Sequence, residues 1–176
     1  MRRNWRSDDM PNAHIIRRIR NSPEDLFRLV ADVEAYPEFI NLISALRITK
    51  TLSETEFEAE AVVAYKMISE SFRSLVTTDT EALKIEVKKA EKGGAVKSLV
   101  NQWQFYALED GSTLVDVVVD VRLKARALEF LLRDKFEKAS VHIVSAFERR
   151  AAQILPVMGE MDYDFTAEVK KHGLSV

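Results

Sequence analysis

A chain of 176 residues, 47% hydrophobic and 31% charged, can bury about 70% of its unfolded surface around one core, which excludes the disordered class. The net charge of −2 supplies no global basic field, so DNA is not an expected partner and any polyanion contact has to come from a local patch. Without cysteine there are no disulfides, thiolate metal sites or cysteine nucleophiles; that, and the lack of a spanning or signal segment, predict a cytoplasmic protein.

Residues 1–10 begin with the basic run Met1-Arg2-Arg3-Asn4-Trp5-Arg6, continue through Asp8 and Asp9, and read as a flexible extension. Met10-Pro11 suits an alternative start. A strand is predicted over His14–Arg20 from the β-branched Ile15, Ile16 and Ile19. Ser22 then suits a helix N-cap and Pro23 the first helical position, with Leu26, Phe27, Leu29 and Val30 following at helical spacing to about Asp32. Tyr36-Pro37 predicts the restart of a second short helix through about Ile43, because a proline disfavours helical angles at the residue before it.

From there the hydrophobic period changes to two. Phe57, Ala59, Ala61, Val63 and Tyr65 alternate with Glu58 and Glu60; Leu83, Ile85 and Val87 alternate with Lys84, Glu86 and Lys88. Val115, Val117, Val119, Val121 and Leu123 alternate with Asp116, Asp120 and Arg122. Weaker strands are predicted at Ala45–Thr51, Ile68–Thr78 and Val96–Leu108, with breaks at Ser53-Glu54, Thr78-Asp79, Gly93-Gly94 and Asp110-Gly111. Such short connections build an antiparallel meander. Last comes a long helix carrying the stripe Leu128, Leu132, Phe136, Ala139, Ile143, Phe147 and Ile154, ended by Pro156. The organisation is one α+β domain over residues 11–155, with residues 156–176 as a C-terminal tail whose order the sequence leaves open.

A sheet of six or seven strands is roughly 30 Å across, and a helix is only ~10–12 Å wide. One long helix therefore leaves part of the inner sheet face uncovered, and an apolar cavity is the expected result. Its lining would come from Phe57, Val63, Tyr65, Phe72, Trp103 and Phe105 on the strands and from Leu132, Phe136 and Ile143 on the helix. The alternative is that Phe57, Phe72, Trp103 and Phe105 close the gap as ordinary core.

Three segments carry a resemblance: Asp32-Val33-Glu34-Ala35-Tyr36-Pro37-Glu38-Phe39-Ile40; the Trp103-Gln104-Phe105 strand with the Val-rich strand after it; and the helical stretch Phe136 through Ala151. Together with the element order they resemble the coenzyme-Q-binding branch of the START-like polyketide cyclase/lipid-transport superfamily. That branch includes ubiquinone chaperones and RatA-type ribosome-association proteins. Gly93-Gly94-Ala95 stands where that branch often has a Gly-Pro pair. The resemblance implies a helix-grip (START/Bet v 1-like) fold: a curved antiparallel sheet of six to seven strands around a long C-terminal helix, with two short helices after the first strand. It also implies a bound ubiquinone or other lipid, no further cofactor and no metal, with Tyr36, Pro37 and Phe39 at the pocket mouth. The same three residues would equally serve as a structural corner.

Little in the sequence points to covalent chemistry. His14, His142 and His172 are too scattered to form a ligand cluster, and Ser140 and Ser145 are not in line with His142 on a helix. Tyr65, Arg73 and Trp103 are the candidates for proton transfer if the chain were a cyclase or dehydratase. The expectation is a carrier or chaperone of a polyisoprenoid quinone that supports respiration and is not an enzyme, with Tyr65 and Gln102 or Gln104 bonding the head group. The alternative is a RatA-like toxin that binds the large ribosomal subunit and blocks subunit association. Arg17, Arg18 and Arg20, with Arg122, Lys124 and Arg126, would be its basic patch. A transient membrane contact would use Phe39, Ile40, Leu42 and Ile43 as an apolar lip.

Overall fold

The elements follow one another as β1 (Asn12–Ile19), α1 (Pro23–Ala31), a 3-10 helix (Val33–Glu38), β2 (Ile43–Thr51), β3 (Glu56–Tyr65), β4 (Ile68–Asp79), β5 (Lys84–Lys89), β6 (Val96–Ala107), β7 (Thr113–Leu123), α2 (Arg126–Ile154) and α3 (Thr166–Lys171). This computed structural model describes residues 12–65, 67–90, 96–124 and 126–175; the side chains of 65, 68 and 126–134 lie outside that description. The predicted extension over residues 1–10 and the Gly93-Gly94 turn therefore fall outside the described residues.

Helix α1 starts where the sequence places it. The Asp25 N–H donates to Ser22 Oγ at 3.2 Å, Pro23 occupies the first turn, and Leu26, Phe27, Leu29 and Val30 are buried. Such a cap is worth about 1 kcal/mol. The second short helix differs from its prediction. It begins at Val33 rather than Tyr36, ends at Glu38 rather than near Ile43, and contains Pro37. The reason is its type: a 3-10 turn bonds each N–H three residues back, so Pro37 forfeits a single bond in a helix only six residues long.

The seven strands form one antiparallel sheet in the order β1-β7-β6-β5-β4-β3-β2, a meander whose first strand closes beside the last. Irregularities in β2 between Ile43 and Ala45 and between Ile48 and Lys50, and in β6 between Val96 and Ser98, bend the sheet into its curve. Register assigns the faces. Trp103 pairs with Ile85 and Val117, and Ile15 with Val117, so these four share the inner face. That face packs on α2, where the Trp103 and Phe147 rings meet edge to face at 5.0 Å. Val144, Phe147 and Ala151 of α2 are buried in the same cluster as Leu26, Phe27 and Val30 of α1.

The C-terminal residues are ordered and cover the opposite face of the sheet. Tyr163, Phe165, Val169 and Leu174 pack with Ile16, Tyr106, Leu108 and Leu114 in a second, smaller core. His172 stacks on Tyr106 at 3.9 Å, and Tyr163 donates to Glu168 at 2.5 Å. A polar clamp seats this segment. Arg18, its side chain 9% exposed, pairs at 2.5 Å with Asp110, 5% exposed. Arg18 also donates to the Glu160 carbonyl at 2.6 Å and to Ser112 Oγ at 3.0 Å. Asp110 accepts from the Glu160 N–H at 2.9 Å and from Ser112. Asn21 and Arg20 donate to the carbonyls of Pro156 and Gly159. At φ +84° and +77°, Gly111 and Gly159 hold the turns that bring the two sides together; a Cβ on Gly159 would meet Asp110 at 2.3 Å.

Burial pushes the Asp110 carboxyl up, but the hydrogen bonds from Ser112, the Glu160 N–H and Arg18 outweigh it and hold its pKa down to about 2. A depressed carboxylate contributes stability above its unfolded pKa, near 4, and that contribution is lost as pH falls through 2. Substitution Asp110→Asn is expected to destabilise the fold by about 3 kcal/mol, because it leaves Arg18 buried without its counter-charge. A chain of this size should then melt roughly 6–12 °C lower. Thermal melts at pH 7 check this, and melts between pH 4 and 2 should show a smaller pH-dependent loss in the variant than in the parent.

Candidate functional site

Inner-face burial changes along the strands. On β5, β6 and β7 the residues beneath α1 and the C-terminal half of α2 are closed off: Ile85 and Val117 are 1% exposed, Trp103 4%. Two and four residues further along the same face, Val87, Asn101, Leu99, Val119 and Val121 are only half-buried. On β3 and β4 the residues Ala59, Ala61 and Ser74 are small and buried, and Phe57, Phe72 and Val63 around them are half-buried. Phe136 and Ile143 of α2 face the core and are likewise incompletely covered. The result is an inner face that is dry at one end and apolar yet reachable at the other, towards the N-terminal half of α2.

The predicted lining residues divide accordingly. Phe57, Val63, Phe72, Trp103 and Phe105 all lie on the inner face by register, and Phe136 and Ile143 face it from α2. Trp103 and Phe105 are core, stacked with ring centres 6.2 Å apart, and Phe105 also meets Phe27. The side chains of Tyr65 and Leu132 lie outside the described residues. Tyr36 and Phe39 pack edge to face on Phe147 at 4.9 and 5.1 Å, and Arg150 lies over Phe39 while pairing with Glu38 at 2.8 Å. The Tyr36 hydroxyl donates to the Val30 carbonyl, and burial, with the Asp32 charge second, pushes its pKa far above the ordinary range. Tyr36, Pro37 and Phe39 therefore form a corner joining the 3-10 helix to the closed end of α2.

Neither of the two glutamines proposed for a head group faces inward. Gln104 Nε2 donates to the Ala82 and Leu83 carbonyls at 2.6 and 3.3 Å, bracing the turn between β4 and β5. Gln102 pairs with Glu86 and Val118 on the outer face. Arg73 is also outside, against Glu60, which Arg47 holds at 2.7 Å. A carboxamide on the inner face that the sequence reading overlooks is Asn101. The signal was available: Asn101 stands two residues before Trp103 and so shares its face.

Among the described residues no three His, Asp or Glu side chains come together as a metal site. His14 pairs with Asp116 on the outer face at 2.6 Å, and His142 is exposed on α2. The expected basic patch does not assemble, because register pairs Arg17 and Arg18 with Val115 and Leu114, at the opposite end of β7 from the exposed Arg122 and Lys124. Arg18 and Arg20 hold the C-terminal segment and Arg17 faces Glu148 at 3.6 Å; the Arg126 side chain lies outside the described residues. A different cationic feature is present, a shallow groove lined by Lys88, Lys89, Ala90, Lys97, Ser98, Leu99 and Val100.

Known proteins match this geometry. The family described as polyketide cyclase / dehydrase and lipid transport matches residues 19–148. The ribosome association toxin RatA of Rickettsia prowazekii is 28% identical over 134 residues, 76% of this chain and 90% of that protein. The 18 kDa protein CC1736 from Caulobacter crescentus superposes with a TM-score of 0.67 at 29% identity, over 81% of this chain and 97% of the other. The Zhui aromatase/cyclase from a Streptomyces species shares the fold at 14% identity, with a TM-score of 0.72 over 81% of this chain and 93% of the other.

The two ends of the inner face should respond differently to truncation. Phe147→Ala removes a ring packed on Trp103, Tyr36 and Phe39 and is expected to cost about 3–4 kcal/mol in chemical denaturation. Phe72→Ala, at the half-buried end, should cost about 1 kcal/mol and weaken binding of an apolar probe instead.

Proposed function

The chain belongs to the polyketide cyclase / dehydrase and lipid transport family, and on that footing we propose that it is a carrier that holds a polyisoprenoid quinone, or a lipid of similar shape, against the open end of its inner sheet face. The observation behind this is the half-buried apolar row of Val87, Leu99, Val119 and Val121 on the inner face, with Phe136 of α2 likewise half-buried against the core. Apolar side chains that stay half-buried on the inside of a fold lose free energy that a matching ligand restores. An isoprenoid chain burying ~300 Å² there gains roughly 7 kcal/mol before the costs of association. The work is binding and release, with no covalent step assigned to any side chain. Delivery of such a cargo needs passing contact with a membrane surface. Mass spectrometry of an organic-solvent extract, from protein purified out of a quinone-producing host, should give near-stoichiometric quinone. Protein that emerges empty from gentle purification would count against it.

A second reading is favoured by the relatives, several of which carry the name ribosome association toxin RatA at 25–29% identity. It requires an outward-facing contact with RNA or ribosomal protein. The groove of Lys88, Lys89 and Lys97 is a described surface that suits it, although Lys88 already pairs with Glu86 at 2.7 Å and Lys89, opposite Ser74, shares the face of Val87. Neutralising Lys89 and Lys97 together should then reduce co-sedimentation with large ribosomal subunits and flatten its salt dependence. Binding that is unchanged by this substitution would remove the groove from consideration.

A further inference from the structure

Asn101 is an anomaly on the inner face. Its cross-strand partners are Val87 and Val119, and its same-face neighbours along β6 are Leu99 and Trp103, so a carboxamide stands in a ring of apolar groups. Its Oδ1 is shielded from solvent and has no hydrogen-bond partner among the described residues. An acceptor left in this state costs about 1–3 kcal/mol, and a leucine of nearly the same shape would avoid the cost. The position is also the border between the dry and the reachable ends, one pair beyond Trp103 and Val117. With no hydrogen bond holding Oδ1, rotation about χ2 turns it toward the open side without breaking one, and that torsion is broad for asparagine.

Given the carrier reading, on which this rests, we infer that Asn101 is the polar anchor of the apolar site and that the ligand offers it a hydroxyl. Oδ1 accepts and Nδ2 donates, so the partner that leaves neither unanswered is a hydroxyl, which does both: an O–H on an otherwise apolar molecule, as in a quinol, a phenol or an isoprenoid alcohol. An ester, an ether or the oxidised quinone of the same shape fills the volume but accepts only from Nδ2 and leaves Oδ1 unpaired, so the reduced quinol is held more tightly than the quinone. Asn101 is thereby a specificity residue that distinguishes hydroxyl-bearing from purely accepting ligands, while affinity comes from the valines, leucines and phenylalanines around it.

The test is calorimetry on the full chain under anaerobic conditions, with a short-chain benzoquinol and its dimethyl ether as probes. The parent protein should bind the quinol about tenfold more tightly than the ether, the equivalent of one hydrogen bond to an otherwise unsatisfied acceptor. Asn101→Leu should bind the two alike and melt no lower than the parent, since it removes an unpaired polar group. Gln102→Leu, altering an outward-facing residue, should keep the preference. Equal binding of both probes by the parent, or tighter binding of the ether, overturns the role of Asn101 and leaves the carrier reading intact. Failure of both probes to bind overturns the carrier reading and this inference with it.

Discussion

A seven-stranded sheet is about 30 Å wide and a single helix about 10–12 Å, and much of this structure answers that mismatch. Curvature brings the sheet edges round α2, but one helix still cannot cover the whole inner face. The closed end is completed by other means. Helix α1, the 3-10 corner and the ring of Tyr36, Phe39, Trp103 and Phe147 fill the space over β5, β6 and β7. Among the described residues nothing comparable covers Val87, Leu99, Val119 and Val121, which are half-buried. The half-buried apolar stretch is thus a consequence of stacking one helix on a wide sheet, and its position follows from which end the short helices occupy.

The outer face solves a different problem. An antiparallel sheet can leave one side to water, yet here β1, β6 and β7 present Ile16, Tyr106 and Leu114 outward. Those side chains are covered by residues 163–174, which lie beyond the residues matched by the family. Few apolar contacts hold that segment, so the weight falls on the clamp between Arg18 and Asp110. An almost fully buried ion pair stabilises only if its remaining hydrogen-bonding groups are satisfied, and Ser112 and the Glu160 backbone do this. Arg18 is thereby committed to folding, and the antiparallel register keeps it at the opposite end of β7 from Arg122 and Lys124, so side-by-side first and last strands do not gather these cations into one patch.

Most of the fold was legible because its signals are local. Alternation in 57–65, 83–88 and 115–123 marked the strands to within a residue or two, and Ser22-Pro23 marked the start of α1. The errors have physical origins. Pro37 was read by the rules of an α-helix, whereas a 3-10 turn accommodates it. The order of the C-terminal tail stayed open because Tyr163, Phe165, Val169 and Leu174 follow no regular period, and their partners become neighbours only once β1 pairs with β7. Gln102 and Gln104 were plausible head-group donors by residue type, but register turns both outward and turns Asn101 in. Strand parity from Trp103 was sufficient to see this; knowing which face meets α2 required the structure.

The central claim is that the half-buried end of the inner face takes up an apolar ligand while the dry end does not. Methyl-resolved NMR with a short-chain quinone titrated into the full chain addresses it directly. Saturable shifts are expected at the methyls of Val87, Leu99, Val119 and Val121, with Ile85, Val115 and Val117 unmoved. Shifts spread over the outer surface, or the absence of any saturable response, would contradict the account.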